Sequence, residues 1–236
     1  MQHTIRCEWG MAALRAHGGW ADVVIVIDAL RFTSLVSLAV SRGAEVVPWP
    51  EPVWPSEAEV AAWPAATDGA GRTAVLLRRD GVSSLQMVRT IEPGVRFVQA
   101  SDNGAPLATQ TGNTPTLAGA FRNAVATAAA AMRGCKRILV VPAGERWPDG
   151  TLRPALEDWL AAGAIISAMG GDRSAEAQAA AEAFAAARGD LHERLLRTAS
   201  GQELAGGGDG DDVATAAELD ADTCAALLRN GAFVAA

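Results

Sequence analysis

The stretch Asp22-Val23-Val24-Ile25-Val26-Ile27-Asp28-Ala29-Leu30-Arg31-Phe32-Thr33-Ser34 decides the fold. Its first half is an apolar run rich in β-branched residues, the pattern of a strand buried on both faces. Polarity returns abruptly at Asp28. From Arg31 to Ser41 the apolar positions Leu35, Leu38 and Ala39 recur at helical spacing, and Glu45 to Pro48 resumes as a short strand. Strand, helix and strand in that order form a βαβ unit. Such a unit predicts a right-handed crossover and two parallel strands.

Working outward, Pro48, Pro50, Pro52 and Pro55 interrupt regular structure before a short helix over Glu57–Trp63 and a strand over Thr73–Leu77. A further strand, Arg96–Ala100, ends in the turn-forming cluster Ser101-Asp102-Asn103-Gly104. The pattern then predicts a helix over Phe121–Met132, a strand over Ile138–Pro142, and helices over Ala155–Met169 and Ser174–Ala187. After Gly206-Gly207-Gly208, the residues Asp209, Asp211 and Asp212 are placed to cap a short helix running through Ala217. The fold class is α/β: a largely parallel sheet with helices on both faces. At 236 residues the chain forms either one domain or two closely packed lobes divided near residues 110–120.

Composition narrows the function. Half the residues are hydrophobic, Tyr is absent, and 20 basic against 27 acidic residues give a formal charge of -7. That charge opposes general attraction to nucleic acid or anionic lipid, so neither is expected as a partner and an anionic ligand must be held locally. Lys136 is the only lysine, so anion recognition falls to planar arginine forks and Schiff-base chemistry is disfavoured. Cys7, Cys135 and Cys224 are odd in number and widely spaced, and read as free thiols. Arg6 and Glu8 interrupt any secretory leader, and no apolar run reaches the ~18 residues of a membrane span. The expected location is the cytoplasm; homo-oligomerisation is left open.

Ligands of open parallel sheets bind beyond the carboxyl ends of the strands, where loops and helix N-termini converge. Three groups of polar residues follow such ends. In the first, Asp28, Arg31, Thr33 and Ser34 place a carboxylate, a guanidinium and two hydroxyls in one strand-to-helix turn. The carboxylate suits Mg²⁺, a hard cation preferring oxygen, and Arg31 suits a phosphate, although an isolated Asp at such a turn is more often a plain helix cap. The second group, Ser101-Asp102-Asn103-Gly104, offers hydroxyl and amide donors and by itself is only a turn. The third sets Glu145 beside Glu157 and Asp158 around one loop. Crowded carboxylates favour a bound divalent cation or a raised pKa, with a solvated acidic loop as the equal alternative.

The order of these pieces resembles the 2-phosphosulfolactate phosphatase family, the ComB type. The resemblance runs from Val23–Ser34 through Gly43-Ala44-Glu45, Ser101-Asp102-Asn103-Gly104-Ala105 and Ala118–Ala124. It continues through Pro142-Ala143-Gly144-Glu145, Ala155-Leu156-Glu157-Asp158, Ala162–Ile166, Ser200–Leu204 and Asp211-Asp212-Val213. It implies a Mg²⁺-dependent phosphatase acting on a small phosphorylated (sulfo)carboxylic acid, 2-phosphosulfolactate or a relative, on the route to coenzyme M or related sulfonates. On that reading Asp28, Arg31 and Glu145 are catalytic, Glu145 activating water. Arg31, Ser101, Asn103, Gly104 and Asn123 bind substrate, and Asp28, Glu157 and Asp158 hold the metal. A haloacid-dehalogenase reading fails because the second Asp it needs falls on Leu30. An isochorismatase-like reading fails because Cys135 precedes a strand instead of following one. The remaining rival is a catalytically degenerate anion-binding or structural relative.

The resemblance breaks at one segment. Where the family carries a Gly-Glu-Arg group and a Gly-Asn-Ser-Pro group, this chain has Leu76-Leu77-Arg78-Arg79-Asp80-Gly81-Val82-Ser83-Ser84. Arg78 or Arg79 is the candidate for the missing positive charge, and Ser83 or Ser84 for the start of a helix. The change implies that turnover of 2-phosphosulfolactate is weak, or is replaced by action on another small phosphorylated acid.

Overall fold

The computed structural model describes residues 2–51, 53–77 and 84–236; Arg78, Arg79 and Ser83 lie outside them. The chain opens with β1 (Thr4–Cys7), α1 (Gly10–His17), β2 (Val23–Ile27), α2 (Phe32–Ser41), β3 (Glu45–Trp49), α3 (Glu57–Ala62) and β4 (Val75–Leu76). It continues with α4 (Leu85–Val88), β5 (Arg96–Ala100), α5 (Gly104–Thr109), β6 (Thr116–Gly119), α6 (Ala124–Ala131) and β7 (Arg137–Pro142). A small hairpin, β8 (Glu145–Arg146) and β9 (Leu152–Arg153), leads to α7 (Leu156–Ser167), β10 (Asp172–Arg173) and α8 (Ala175–Ala187). Last come α9 (Leu191–Arg197), α10 (Ala199–Gly206), α11 (Gly210–Ala216), β11 (Ala226–Arg229) and β12 (Ala232–Ala235).

The apolar run that opens the sequence argument is β2, and all of its residues are buried. It lies between β7 and β6 and runs parallel to both, which explains the absence of alternation: neither face meets water. The ten-stranded sheet is ordered β10-β1-β7-β2-β6-β11-β12-β3-β5-β4. The antiparallel pairings in it are β6 with β11, β11 with β12, and β12 with β3. The sheet is thus mostly parallel but mixed: the hairpin of β11 and β12 separates two parallel groups, β10-β1-β7-β2-β6 and β3-β5-β4, and its three antiparallel pairings make them run in opposite senses, so β2 and β3 are not the parallel neighbours expected of a βαβ unit.

Several elements go beyond the sequence reading. β1, β6 and the β11–β12 hairpin were not anticipated, and the Ser101–Gly104 cluster leads straight into α5. That helix contains Gly104 and Pro106, both poor helix formers, but Pro106 sits in the first turn, where its missing N–H is no loss. Ser84 caps α4, its Oγ accepting from Met87 N at 3.2 Å. The three cysteines are free, with Cys7 buried.

Four strands separate β2 from β5 in the sheet order. A flat sheet would hold their carboxyl ends at opposite edges and, at ~4.8 Å per strand, on the order of 24 Å apart across it. Instead Ser101, the residue after β5, donates its hydroxyl to Asp28, the residue after β2, at 2.7 Å. The sheet therefore curls, and the residues of α2 fill its concave side: Leu35, Val36 and Ala39 share one apolar cluster with Val46, Phe97, Ala118, Ala226 and Phe233 from five different strands. Curling brings two distant strand ends to one place. The candidate site is there.

Candidate active site

Asp28 is 7% exposed at the carboxyl end of β2. Its Oδ2 accepts from Ser101 Oγ at 2.7 Å and from Gly104 N at 2.9 Å, and its Oδ1 accepts weakly from Phe32 N at 3.4 Å. Gly104 is required for this approach: a Cβ there would lie 2.8 Å from both Cβ and Oδ2 of Asp28 and 2.6 Å from Phe32 Cδ1. Burial raises the Asp28 pKa, the three hydrogen bonds oppose the rise, and the charge of Glu157 adds to it.

Across the cleft, Glu145 begins the β8–β9 hairpin immediately after β7. Its Oε2 accepts from Asn103 Nδ2 at 2.9 Å. Burial first and the Asp28 charge second push its pKa from 4.5 up to about 7, so the carboxyl is poised to gain or lose a proton near neutrality. Behind it Asp158 is almost fully buried and uses both oxygens on main chain: Oδ1 takes Ala29 N at 2.7 Å and Oδ2 takes Gly144 N at 2.8 Å. One carboxylate thereby fixes the loops carrying Asp28 and Glu145 relative to each other. Gly144 turns there with φ +67°, and a Cβ would meet Arg153 O at 2.9 Å. Burial, then the charges of Asp28 and Glu157, raise the Asp158 pKa.

Arg31 completes the constellation. Its Nη1 donates to Asp212 Oδ2 at 2.6 Å and Asp209 Oδ2 at 2.8 Å. No hydrogen bond from Nε or Nη2 forms among the described residues, so that edge of the fork remains for an anion. Asp212, fully buried, also accepts from Leu85 N at 3.1 Å and Gln86 N at 3.2 Å. The aspartates read as caps for a late helix instead anchor Arg31. Asp209 does sit at the N-cap position of α11, but its side chain makes no capping bond.

A cleft of about 270 Å³ is lined by Asp28, Arg31, Ser101, Asn103 and Glu145, with Leu30, Phe32, Trp54, Gln99, Ala100 and Asp102. Asp28, Asn103 and Glu145, each following a strand end, thus open into one crevice. Of the expected substrate ligands, Ser101 lines the cleft and Gly104 is not among its lining residues. Ser101 and Gly104 line up on Asp28 and donate to its carboxylate. Asn123, also expected at the substrate, lies outside the cleft and is fully buried: its Oδ1 accepts from Ala120 N at 2.9 Å and its Nδ2 donates to Ala118 O at 3.1 Å. Gln99 and Trp54 escaped the sequence reading, and Asp209 and Asp212 entered it as helix caps and, for Asp212, as a landmark of the resemblance, not as partners of Arg31. Gln99 lies within a strand, and Asp212 acts from a distant helix, so local pattern carried no signal for either.

Of the expected metal set, Asp28 lines the cleft, while Glu157 and Asp158 are buried and are not among its lining residues. Among the described residues no cluster of three or more His, Cys, Asp or Glu side chains is disposed to hold a metal ion, and both Asp158 oxygens are engaged by amides. Mg²⁺ commonly takes one or two carboxylates and completes its shell with phosphate oxygens and water. Asp28, facing the cleft with one strongly bonded and one weakly bonded oxygen, fits that smaller role.

Among the described residues, no helix is long and apolar enough to cross a membrane. The sequence matches the 2-phosphosulpholactate phosphatase family over residues 12–231. It is also 30% identical over 225 residues to a "Probable 2-phosphosulfolactate phosphatase" of Gloeobacter violaceus, covering 91% of this chain and 90% of that protein. A cleft that sets carboxylates against an anchored arginine is chemistry suited to a phosphate ester. The chain belongs to the 2-phosphosulfolactate phosphatase family of hydrolases.

Proposed function

We propose that the protein hydrolyses a small phosphorylated carboxylic acid, either 2-phosphosulfolactate or a close relative, with Mg²⁺ as cofactor. The observation that carries this reading is the shared cleft in which Asp28 and Glu145 face Arg31. The free edge of the Arg31 fork binds the phosphoryl oxygens, and its anchorage by Asp209 and Asp212 fixes the direction from which they approach. Asp28 is the carboxylate for Mg²⁺, which when bound neutralises phosphoryl charge. Glu145, with a pKa about 7, takes a proton from the attacking water. The water oxygen bonds to phosphorus, the ester P–O bond breaks, and the departing oxygen takes up a proton, yielding an alcohol and inorganic phosphate.

The test is phosphate release from 2-phosphosulfolactate, phospholactate and phosphoglycolate, with Mg²⁺ and with EDTA. We expect Mg²⁺-dependent turnover of at least one of them. Efficient, selective use of 2-phosphosulfolactate would show that the altered 76–84 segment leaves family specificity intact, while higher kcat/KM on another ester would assign the change of substrate to it. No turnover of any would remove the enzymatic reading.

A further inference from the structure

Asn103 holds the N-cap position of α5, yet its side chain makes no capping bond. Asparagine ranks among the best caps because its side-chain oxygen accepts from the first free amides of a helix. Here those amides are met from elsewhere: Ser101 Oγ accepts from Asn103 N at 3.1 Å and from Gly104 N at 3.0 Å, and Asp28 Oδ2 accepts from Gly104 N at 2.9 Å. The Asn103 side chain is thereby released. Its Nδ2 donates to Glu145 Oε2 at 2.9 Å, and both residues line the cleft. An ionised carboxylate only accepts, so the amide presents its N–H to it.

Among the described residues no other hydrogen bond reaches the Glu145 carboxylate. Burial and the charges of Asp28 at the end of β2 and Glu157 of α7 disfavour its ionised form, while Asn103 and the charge of Arg153 in β9 favour it. A base repelled by the carboxylate it faces needs a tether to stay at the reaction site. The tether has a fixed anchor: Asn103 N is bonded to Ser101 Oγ, and that hydroxyl to Asp28 Oδ2 at 2.7 Å. An unbroken run of hydrogen bonds thus joins Asp28 to Glu145.

We infer that Asn103 is a positioning residue, one that holds Glu145 at a fixed separation from Asp28 and does not bind the substrate. This inference rests on the phosphatase reading above. The amide occupies one oxygen of Glu145 and leaves the carboxylate its other oxygen for the proton of the attacking water. As the O–P bond forms that proton passes to Glu145, and the ester oxygen leaves with the bonding pair and takes a proton from solvent. The separation set by Asn103 fixes the direction from which water meets phosphorus.

Asn103→Leu keeps the volume and removes the donor. With the best substrate of the wild-type protein at saturating Mg²⁺, we expect kcat to fall at least about tenfold with KM within about twofold, since the substrate does not touch the amide. The second readout is the pH profile, whose position is independent of how much variant folds. The Asn103 bond favours ionised Glu145, so its loss makes the base harder to ionise, and the limb on which kcat rises with pH moves up by about one unit. An unmoved limb would overturn the inference whatever happens to kcat. A KM raised about tenfold would also overturn it, by placing Asn103 on the substrate; either result leaves the phosphatase reading intact. If the folded variant turns over too slowly to assay, calorimetric titration with the same ester decides, wild-type affinity supporting the positioning role and weakened affinity overturning it. Asn103→Ala serves in the same measurements should the leucine variant not fold. Absence of hydrolysis by the wild-type protein would remove both inference and reading.

Discussion

At Glu145 the physical argument runs from burial to proton affinity to pH dependence. Burial and the Asp28 charge raise its carboxyl from 4.5 to about 7 in the folded chain. A group whose folded pKa is raised stabilises the fold fully below its unfolded value, and that contribution is lost as pH climbs through the folded value. In the metal-free protein, stability contributed by this residue therefore falls between about pH 4.5 and 7. Glu145→Gln keeps an oxygen for Asn103 Nδ2 and removes the charge. It is expected to be more stable than wild type by on the order of 1–2 kcal/mol above pH 7, with the gap closing below pH 4.5. Urea denaturation across that range measures it, and a gap independent of pH would mean that Glu145 does not titrate with folding. Asp28→Asn follows similar logic: one oxygen remains for Ser101 and Gly104 while the ligand charge goes, so Mg²⁺ affinity should drop at least about tenfold with little loss of stability. Calorimetric titration with Mg²⁺ decides this, equal affinities excluding Asp28 as a ligand. Both residues were legible in the sequence because each follows an apolar run that ends abruptly. Asn123 misled for the opposite reason: an Asn at a helix entrance serves main chain as readily as ligand, and only its two backbone partners distinguish the roles.

Among elements, β2 was readable because burial on both faces leaves an uninterrupted apolar run, whereas β6 is four residues ending in Gly119 and carries too little pattern to register. Gly119 is there for packing: a Cβ would sit 2.5 Å from Ile165 Cδ1 of α7. The same helix meets α8 still more closely at Gly163, where a Cβ would fall 2.0 Å from Ala180 O. Helix propensity favours Gly163→Ala by about 1 kcal/mol, but a backbone carbonyl cannot rotate away, so the two helices must separate and open the cluster around Ile165, Ile166 and Phe184. The net effect expected is a loss of about 2–4 kcal/mol. A variant as stable as wild type in urea would show that α7 and α8 are not held at this separation. At α11 the consequence is functional. Asp212 carries Arg31 and the first amides of α4 together, so Asp212→Asn, which halves its acceptor capacity, should loosen the guanidinium and raise KM about tenfold with a smaller effect on kcat. A fall in kcat at constant KM would instead assign Arg31 to the transition state alone.

For the whole molecule, the joint that matters is the hairpin at the end of the chain. β11 pairs with β6 and β12 pairs with β3, so this hairpin connects the strands carrying Asp28 and Glu145 to the strand that leads to Ser101 and Asn103. The β12–β3 pairing is brief, the partners in register being Phe233 and Val46, and side-chain packing must supply what the ladder does not. Phe233 is fully buried and meets Phe32, at the start of α2 and the wall of the cleft, edge to face at 6.2 Å between ring centres. Phe233→Ala removes that packing at a cost of about 3–5 kcal/mol. Because the residue lies at the joint, the loss should not spread evenly. Amides of β3 and β5 are expected to exchange with solvent faster than those of β2 and β7, since the latter keep their parallel neighbours and the α7–α8 cover while the former lose their link to them. Phosphate release should fall with it, as the Ser101 hydroxyl and the Gly104 amide drift from Asp28. Hydrogen exchange followed by mass spectrometry separates the outcomes: equal acceleration on both sides of the hairpin would mean that the curled sheet opens as one unit and that Phe233 contributes only bulk.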